Sequence, residues 1–296
     1  MSYRLLRNAL FCLPPEFAHR AALESLGLAT RMGFSFGAQP LQRHQGVDCL
    51  GLTFPNRVGL AAGYDKNGDF VDALGTLGFG FIEIGTITPR PQPGNAKPRL
   101  FRIPHQLALI NQMGSPNKGI EHAVSKIGQR SYSGILGVNI GKNADTPLEK
   151  AADDYLACYR AAASHADYVA LNISSPNTKR LRELQDRQHL RHILIPLIKA
   201  RDETERRVPI LVKLSPDLSI HELHSIADTI AELGVDGVIA TNTTTSRQGV
   251  AIGEARMESG GLSGAPLHQR SVDAINCLRS RLGEAVPIIG VGGIMN

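Results

Sequence analysis

Asn172-Ile173-Ser174-Ser175-Pro176-Asn177 gathers two carboxamides and two hydroxyls directly after the apolar run Tyr168-Val169-Ala170-Leu171. That run reads as a short buried strand, so the polar set falls at a strand's C-terminal end. In a parallel α/β barrel that end is the active face. Pro176 stiffens the turn and disfavours an α conformation at Ser175. Asn side chains both donate and accept, so a pair of them can read a flat ring of alternating C=O and N–H. These residue types fit a small heterocycle with a hydroxyl held against it. They do not fit a metal site or a phosphate loop. Taken alone, the stretch is equally an Asn/Ser/Pro-rich turn without chemistry.

The elements that must position it recur along the chain. Apolar strands are expected at Val58–Ala62, Phe81–Gly85, Gly137–Ile140, Tyr168–Ile173, Pro209–Leu214, Gly237–Ala240 and Pro287–Gly293. Helical patterns lie between most of them, as in Ile220 to Leu233. Such alternation predicts a parallel sheet, and this many repeats predict an α/β protein of the (β/α)8 TIM-barrel class. A Pro-rich insertion from Pro89 to Pro98 precedes two short runs, Leu100–Ile103 and Leu107–Ile110, which can pair as a hairpin over the active face. The sequence stops at Asn296, directly after the seventh strand. Closure needs an eighth, so the expectation is a truncated barrel lacking its eighth strand.

Residues 1–40 differ from the rest. Two helices broken at Pro14-Pro15 place Leu5, Leu6, Ala9, Leu10 and Leu13 on one face, then Phe17, Ala18, Ala21, Ala22, Leu26 and Ala29 on another, with Arg4, Arg7, Arg20 and Arg31 flanking. A Gly/Gln/Pro-containing linker, 36–40, follows. The residues support either a cap on the barrel or an amphipathic element on a membrane surface. The expected division is therefore 1–40 as a helical element and 41–296 as an incomplete barrel.

Composition removes other classes. The 296 residues are 42% hydrophobic and 20% charged, as in an ordinary globular protein. The net charge of +5 has no Lys/Arg run and no interleaved aromatic ladder, so nucleic acid is not an expected partner. Cys12, Cys49, Cys158 and Cys277 form no CxxC pair and read as free thiols. No apolar run reaches the length of a membrane span, and Pro14-Pro15 interrupts the only run that a signal peptide could use.

The expected strand ends offer Lys66, Thr86, Asn139, Asn172, Ser175, Asn177, Lys213, Thr241, Asn242 and Thr243. Two lysines in a barrel mouth are costly unless they face an anion or an electron-rich ring. Gly260-Gly261-Leu262-Ser263-Gly264 and Gly290-Val291-Gly292-Gly293 read as late Gly-rich turns whose N–H groups can bind phosphate. A phosphate-bearing cofactor above an Asn-rich pocket is the physical reading.

Motifs spread over the whole chain carry a closer resemblance. They are Gly59-Leu60-Ala61-Ala62-Gly63-Tyr64-Asp65-Lys66-Asn67-Gly68, Glu83-Ile84-Gly85-Thr86-Ile87-Thr88, Gly137-Val138-Asn139-Ile140-Gly141-Lys142-Asn143, Asn172-Ile173-Ser174-Ser175-Pro176-Asn177-Thr178, Val212-Lys213-Leu214-Ser215-Pro216-Asp217, Thr241-Asn242-Thr243-Thr244 and Gly290-Val291-Gly292-Gly293-Ile294. In register and order the chain resembles the class 2, quinone-dependent dihydroorotate dehydrogenases. The resemblance implies FMN-dependent oxidation of dihydroorotate to orotate in pyrimidine biosynthesis, with a membrane quinone as acceptor. It implies Ser175 as catalytic base, with a proton relay possible through Thr178. Lys66, Asn111, Gln112, Met113, Gly114, Ser115, Asn172, Asn177, Asn242 and Thr243 would hold substrate. Ala62, Gly63, Tyr64, Asp65, Lys66, Thr86, Asn139, Asn172, Lys213, Thr241, Gly264 and Gly293 would hold FMN, and no metal is expected. It further implies a monomer, peripheral on the cytoplasmic face of the bacterial inner membrane, with the helical hairpin forming the quinone tunnel.

Two features separate this chain from neighbouring patterns. Class 1 relatives carry Cys as the base, whereas position 175 is Ser. The class 2 loop Asn-Arg-Met-Gly-Phe-Asn-Asn stands here as Asn111-Gln112-Met113-Gly114-Ser115-Pro116-Asn117, so Ser115 replaces the Phe that covers the base. The alternatives are another FMN barrel oxidoreductase of class 1 type and an inactive truncated fragment.

Overall fold

The computed structural model describes residues 3–34, 46–250 and 258–295. Two helices come first, α1 (Tyr3–Phe11) and α2 (Pro15–Arg31). Pro15 opens α2 at the one turn where a missing N–H costs nothing. Ala18 and Leu23 are the buried residues of α2, while Leu5, Leu6, Phe11, Phe17, Leu28 and Met32 are exposed. The hairpin thus turns a broad apolar surface outward. The expected linker 36–40 lies outside the described residues.

A short antiparallel pair follows, β1 (Val47–Cys49) and β2 (Leu52–Phe54). Phe54 packs with Phe81, Ile135, Tyr168, Leu211 and Ile239, which closes the end of the barrel away from the mouth. The sequence reading did not include this pair.

The central sheet has seven parallel strands in the order β12-β10-β9-β8-β7-β4-β3. They are β3 (Gly59–Leu60), β4 (Phe81–Ile87), β7 (Ile135–Ile140), β8 (Tyr168–Asn172), β9 (Ile210–Leu214), β10 (Gly237–Ala240) and β12 (Ile288–Gly290). Each contains or overlaps an expected strand. The second expected strand extends past Gly85 to Ile87, because β4 keeps its pairing with β7 across an irregularity between Ile84 and Ile87. The helices α3 (Val71–Gly75), α4 (Ile120–Ile127), α5 (Ala151–Ala162), α6 (Arg187–Asp202), α7 (Ile220–Leu233) and α8 (His268–Leu282) alternate with the strands. The main core lies between this helical layer and the sheet. Ser219 and Glu222 form a reciprocal capping box that starts α7 where the apolar spacing begins. Seven strands curl into an incomplete barrel, with β3 and β12 at its two edges.

Over the mouth sits a second sheet of β5 (Leu100–Ile103), β6 (Ala108–Asn111) and β11 (Gly261–Gly264) in the order β11-β6-β5. The expected hairpin is its first two strands. Gly260 to Gly264 was expected as a turn, and this is corrected: Gly261–Gly264 is a strand paired antiparallel with β6. Its glycines are needed for close approach. A Cβ on Gly261 would lie 1.9 Å from Thr243 Oγ1, and one on Gly264 would lie 2.1 Å from the Leu107 carbonyl.

Candidate active site

The C-terminal ends of the strands open into a cavity of about 590 Å³. Ala62, Gly63, Tyr64, Lys66, Thr86, Asn111, Met113, Ser115, Asn172, Ser175, Asn177, Lys213, Asn242 and Thr243 all line it. Residues more than 150 positions apart in sequence meet there because parallel strands all end on one face. The same cavity continues upward between the small sheet and the helical hairpin. Leu10, Phe11, Glu16, His19 and Ala22 line one side of that passage, and Leu100, Arg102 and Leu109 the other.

Hydrogen bonds fix the floor. Asn172 Nδ2 donates to Thr86 Oγ1 at 2.7 Å, and Asn242 Nδ2 donates to Asn172 Oδ1 at 3.2 Å and to Ser174 Oγ at 3.0 Å. Asn177 Nδ2 donates to Asn111 Oδ1 at 2.7 Å, joining the strand-end loop to the small sheet. Ser175 is buried, and its Oγ accepts from the Asn177 backbone N–H at 3.3 Å. Among the described residues no hydrogen bond joins Ser175 to Thr178, which is also buried. Lys213 is buried among these groups, with Glu83 3.6 Å from its Nζ.

Lys66 donates to the Gly63 carbonyl beside the cavity. Burial holds its ammonium well below the usual lysine value, to about 8. Burial also pushes His19 down, helped by the charge of Lys66, and the His19 ring meets Tyr64 edge-on at 4.8 Å.

Other expected residues stand outside the lining. Asn139 lies beneath it, accepting from Thr86 Oγ1 at 2.6 Å. Thr241 is buried at the end of β10. Asp65 turns its carboxylate to the backbone N–H groups of Asn67, Gly68, Asp69 and Phe70, so its side chain holds the loop. Gln112 Nε2 donates to Glu258 and to the Ser259 carbonyl. Gly114, at φ +67, lies against Asn95. Its neighbour Ser115, by contrast one of the lining residues, has a left-handed backbone, φ +54. Gly264 leads toward the start of α8, and a Cβ on Gly293 would lie 2.7 Å from His268 at that start. Both glycines therefore stand close to the N-terminal end of α8.

Three groups escaped the sequence reading. Arg182 donates to the Ser174 and Thr243 carbonyls and pairs with Asp217 at 2.8 Å, which ties two site loops together. Glu16 on α2 accepts from Arg99 at 2.7 and 3.3 Å, anchoring the hairpin. Glu83 lies inside the barrel beside Lys213. Only the positions of Arg99 and Glu83 within quoted motifs or near the Pro-rich insertion hinted at them; long-range partners are not visible in spacing. Among the described residues, no His/Cys/Asp/Glu group is arranged to hold a metal, and no helix is long and apolar enough to cross a membrane.

A parallel β/α barrel with carboxamides, hydroxyls and a buried lysine converging at its mouth is the architecture of a barrel enzyme for a small polar substrate. The chain belongs to the dihydroorotate dehydrogenase family, whose model matches residues 45–296. The dihydroorotate dehydrogenase (quinone) of Cellvibrio japonicus is 52% identical over 99% of this chain and 87% of its own length. The protein of the same name from Nitrosospira multiformis is 53% identical, covering 100% and 86%. Among solved structures, Eimeria tenella dihydroorotate dehydrogenase in complex with ferulenol superposes with a TM-score of 0.88. It is 37% identical, and the match covers 95% of this chain and 81% of that one.

Proposed function

We propose that this barrel mouth oxidises dihydroorotate to orotate for pyrimidine biosynthesis, with FMN as cofactor and a quinone as final acceptor. The observation that carries the reading is one cavity holding Ser175, the Asn set, Lys66 and Lys213 and continuing between the hairpin and the small sheet. The donor set suits FMN. Lys213 supplies a buried positive charge, the carboxamides offer donors and acceptors to a flat ring, and Gly264 and Gly293 stand beside the start of α8, where a helix N-terminus favours a phosphate. Held by these residues, FMN would supply a two-electron acceptor for the hydride that leaves C6 and a carrier of those electrons to quinone.

The chain's own residues do the rest. Ser175 takes the proton from C5, so that the C5–H electron pair forms the C5=C6 double bond as hydride leaves C6. A serine is a weak base, and its burial against the substrate demands a path that removes the proton. Asn111, Asn172, Asn177 and Asn242 align the substrate ring, and Lys66 meets its carboxylate. Lys213 offsets negative charge gathered on the flavin. Ala62, Thr86, Asn139 and Thr241 complete the cofactor floor.

The hairpin's exposed apolar face and its arginines fit a peripheral seat on an anionic membrane at the cytoplasmic face, from which a quinone reaches the passage. We assign the chain as a monomer of two parts, 1–40 and 41–296. The test is anaerobic mixing of the purified, flavin-loaded protein with dihydroorotate. Bleaching of the flavin absorbance followed by recovery on adding a short-chain quinone is expected, and no bleaching would refute the reading.

A further inference from the structure

Glu83 has no part in the steps above, yet it is only 3% exposed in the middle of the barrel. Its Oε1 accepts from Asn139 Nδ2 at 3.0 Å, and its Oε2 accepts from the Tyr168 hydroxyl at 3.0 Å. Lys213 Nζ stands 3.6 Å from Oε1. The backbone makes room for this cluster. Gly137 is the register partner of both Glu83 and Tyr168, and a Cβ there would lie 2.1 Å from the Tyr168 ring.

A carboxylate has no proton to give. Asn139 must therefore present its amide N–H to Glu83 and turn Oδ1 away. That oxygen accepts from Thr86 Oγ1 at 2.6 Å. With its proton so committed, the Thr86 oxygen accepts from Asn172 Nδ2 at 2.7 Å. Asn172 Oδ1 in turn accepts from Asn242 Nδ2 at 3.2 Å. Four successive hydrogen bonds, crossing the barrel mouth, all donate toward one buried carboxylate. Hydrogen bonds chained in one sense polarise one another.

We propose that Glu83 is a positioning residue that fixes the donor–acceptor sense of the active-site floor and, as counter-charge to Lys213, sets how strongly that lysine favours a reduced flavin. The proposal rests on the FMN reading above. Glu83→Gln removes the negative charge and offers an N–H, so the chain from Asn139 onward is free to reverse. The unscreened Lys213 should then shift the two-electron equilibrium of bound flavin about tenfold toward reduction, equivalent to about 30 mV.

Spectroscopic redox titration of the flavin-loaded parent, Glu83→Gln and Glu83→Asp tests this. Glu83→Asp keeps the charge and is expected to stay within threefold of the parent. A flavin-replete Glu83→Gln protein with the parent's potential overturns the proposal. So does a Glu83→Asp protein that shifts as far as Glu83→Gln, because shape and not charge would then be acting. A parent chain that takes up no flavin counts against the FMN reading alone. In that case, or if Glu83→Gln alone releases flavin, the side-chain amide resonances of Asn139 and Asn172 in the flavin-free proteins decide. Both should move in Glu83→Gln, and unchanged resonances overturn the proposal.

Discussion

The floor of the barrel mouth and the N-terminal hairpin line the same cavity but are built on opposite plans. On the floor, Asn139, Asn172 and Ser174 are buried and hydrogen-bonded to residues of other strands or strand-end loops, and Lys213 is buried with the Glu83 carboxylate 3.6 Å away. A side chain with several fixed partners has little freedom left to lose on binding, which is how geometry is held for chemistry. The hairpin instead leaves Leu5 64% and Phe17 61% exposed and buries little of α2. Its polar attachments are few: Arg99 and Lys97 to Glu16, and Arg102 to the Phe11 and Leu13 carbonyls with its guanidinium 4.6 Å from the Phe11 ring. Rigidity is concentrated at the floor, where the proposed reaction takes place. The exposed apolar surface lies on the hairpin, the side from which the proposed quinone would approach.

The contrast can be broken first at the floor. Ser175→Ala should slow flavin reduction by dihydroorotate by about 10²–10⁴-fold while the flavin stays bound, since it removes a proton acceptor and no cofactor contact. Stopped-flow absorbance measures this, and near-parent rates would end the assignment of Ser175 as base. Lys213→Ala should come next, weakening FMN retention by roughly ten- to a hundredfold through loss of a buried charge, as read by flavin-to-protein ratio after dialysis.

Changes to the hairpin should spare the first half-reaction. Removing residues 1–36 should leave reduction by dihydroorotate within a few-fold of the parent. Reoxidation by quinone should fall by at least about tenfold, and co-sedimentation with anionic vesicles should be lost. Equal loss of both half-reactions would mean that the hairpin is part of the floor's architecture.

A pH series separates the regions further. Lys66 is held at about 8, so its ammonium is present below that pH and lost above it. The KM for dihydroorotate should therefore rise by up to about tenfold per pH unit above that value, with little change in flavin content. At the other end, the Arg99 hydrogen bond holds the Glu16 carboxyl below its ordinary value of 4.5. A lowered carboxyl stabilises the fold above its unfolded value and loses that contribution as pH falls through the folded one. Hairpin attachment should accordingly weaken only in acid. The smallest expected effect is Arg99→Met at neutral pH. It removes both hydrogen bonds from Arg99 to Glu16 and should speed amide hydrogen exchange in α2 by about tenfold, while exchange in β8 stays unchanged.

Much of the scaffold is legible in the sequence. The strand at Tyr168, the helix over Ile220 to Leu233 and the pairing of Leu100–Ile103 with the run after it follow from local apolar period and caps, which neighbouring residues carry among themselves. The segment Gly260 to Gly264 has the local composition of a turn, yet Gly261–Gly264 is a strand. Its strand character comes from a partner, β6, about 150 residues earlier, and its glycines answer to Thr243 and Leu107 across the mouth. Asp65 sat in a recognisable motif, but its role is local, accepting four backbone N–H groups of its own loop.

The sequence by itself determined the alternation of strands and helices, the amphipathic character of the first helices and the residue types at the strand ends, because each depends on period or on immediate neighbours. The tertiary structure decided which of those residues touch. Parallel strands bring positions 66, 86, 172, 213 and 242 to one mouth and leave Asp65 facing its own loop. Only there does Glu83 acquire Asn139, Tyr168 and Lys213 as partners, since a buried carboxylate must find its donors from whatever strands the barrel sets beside it.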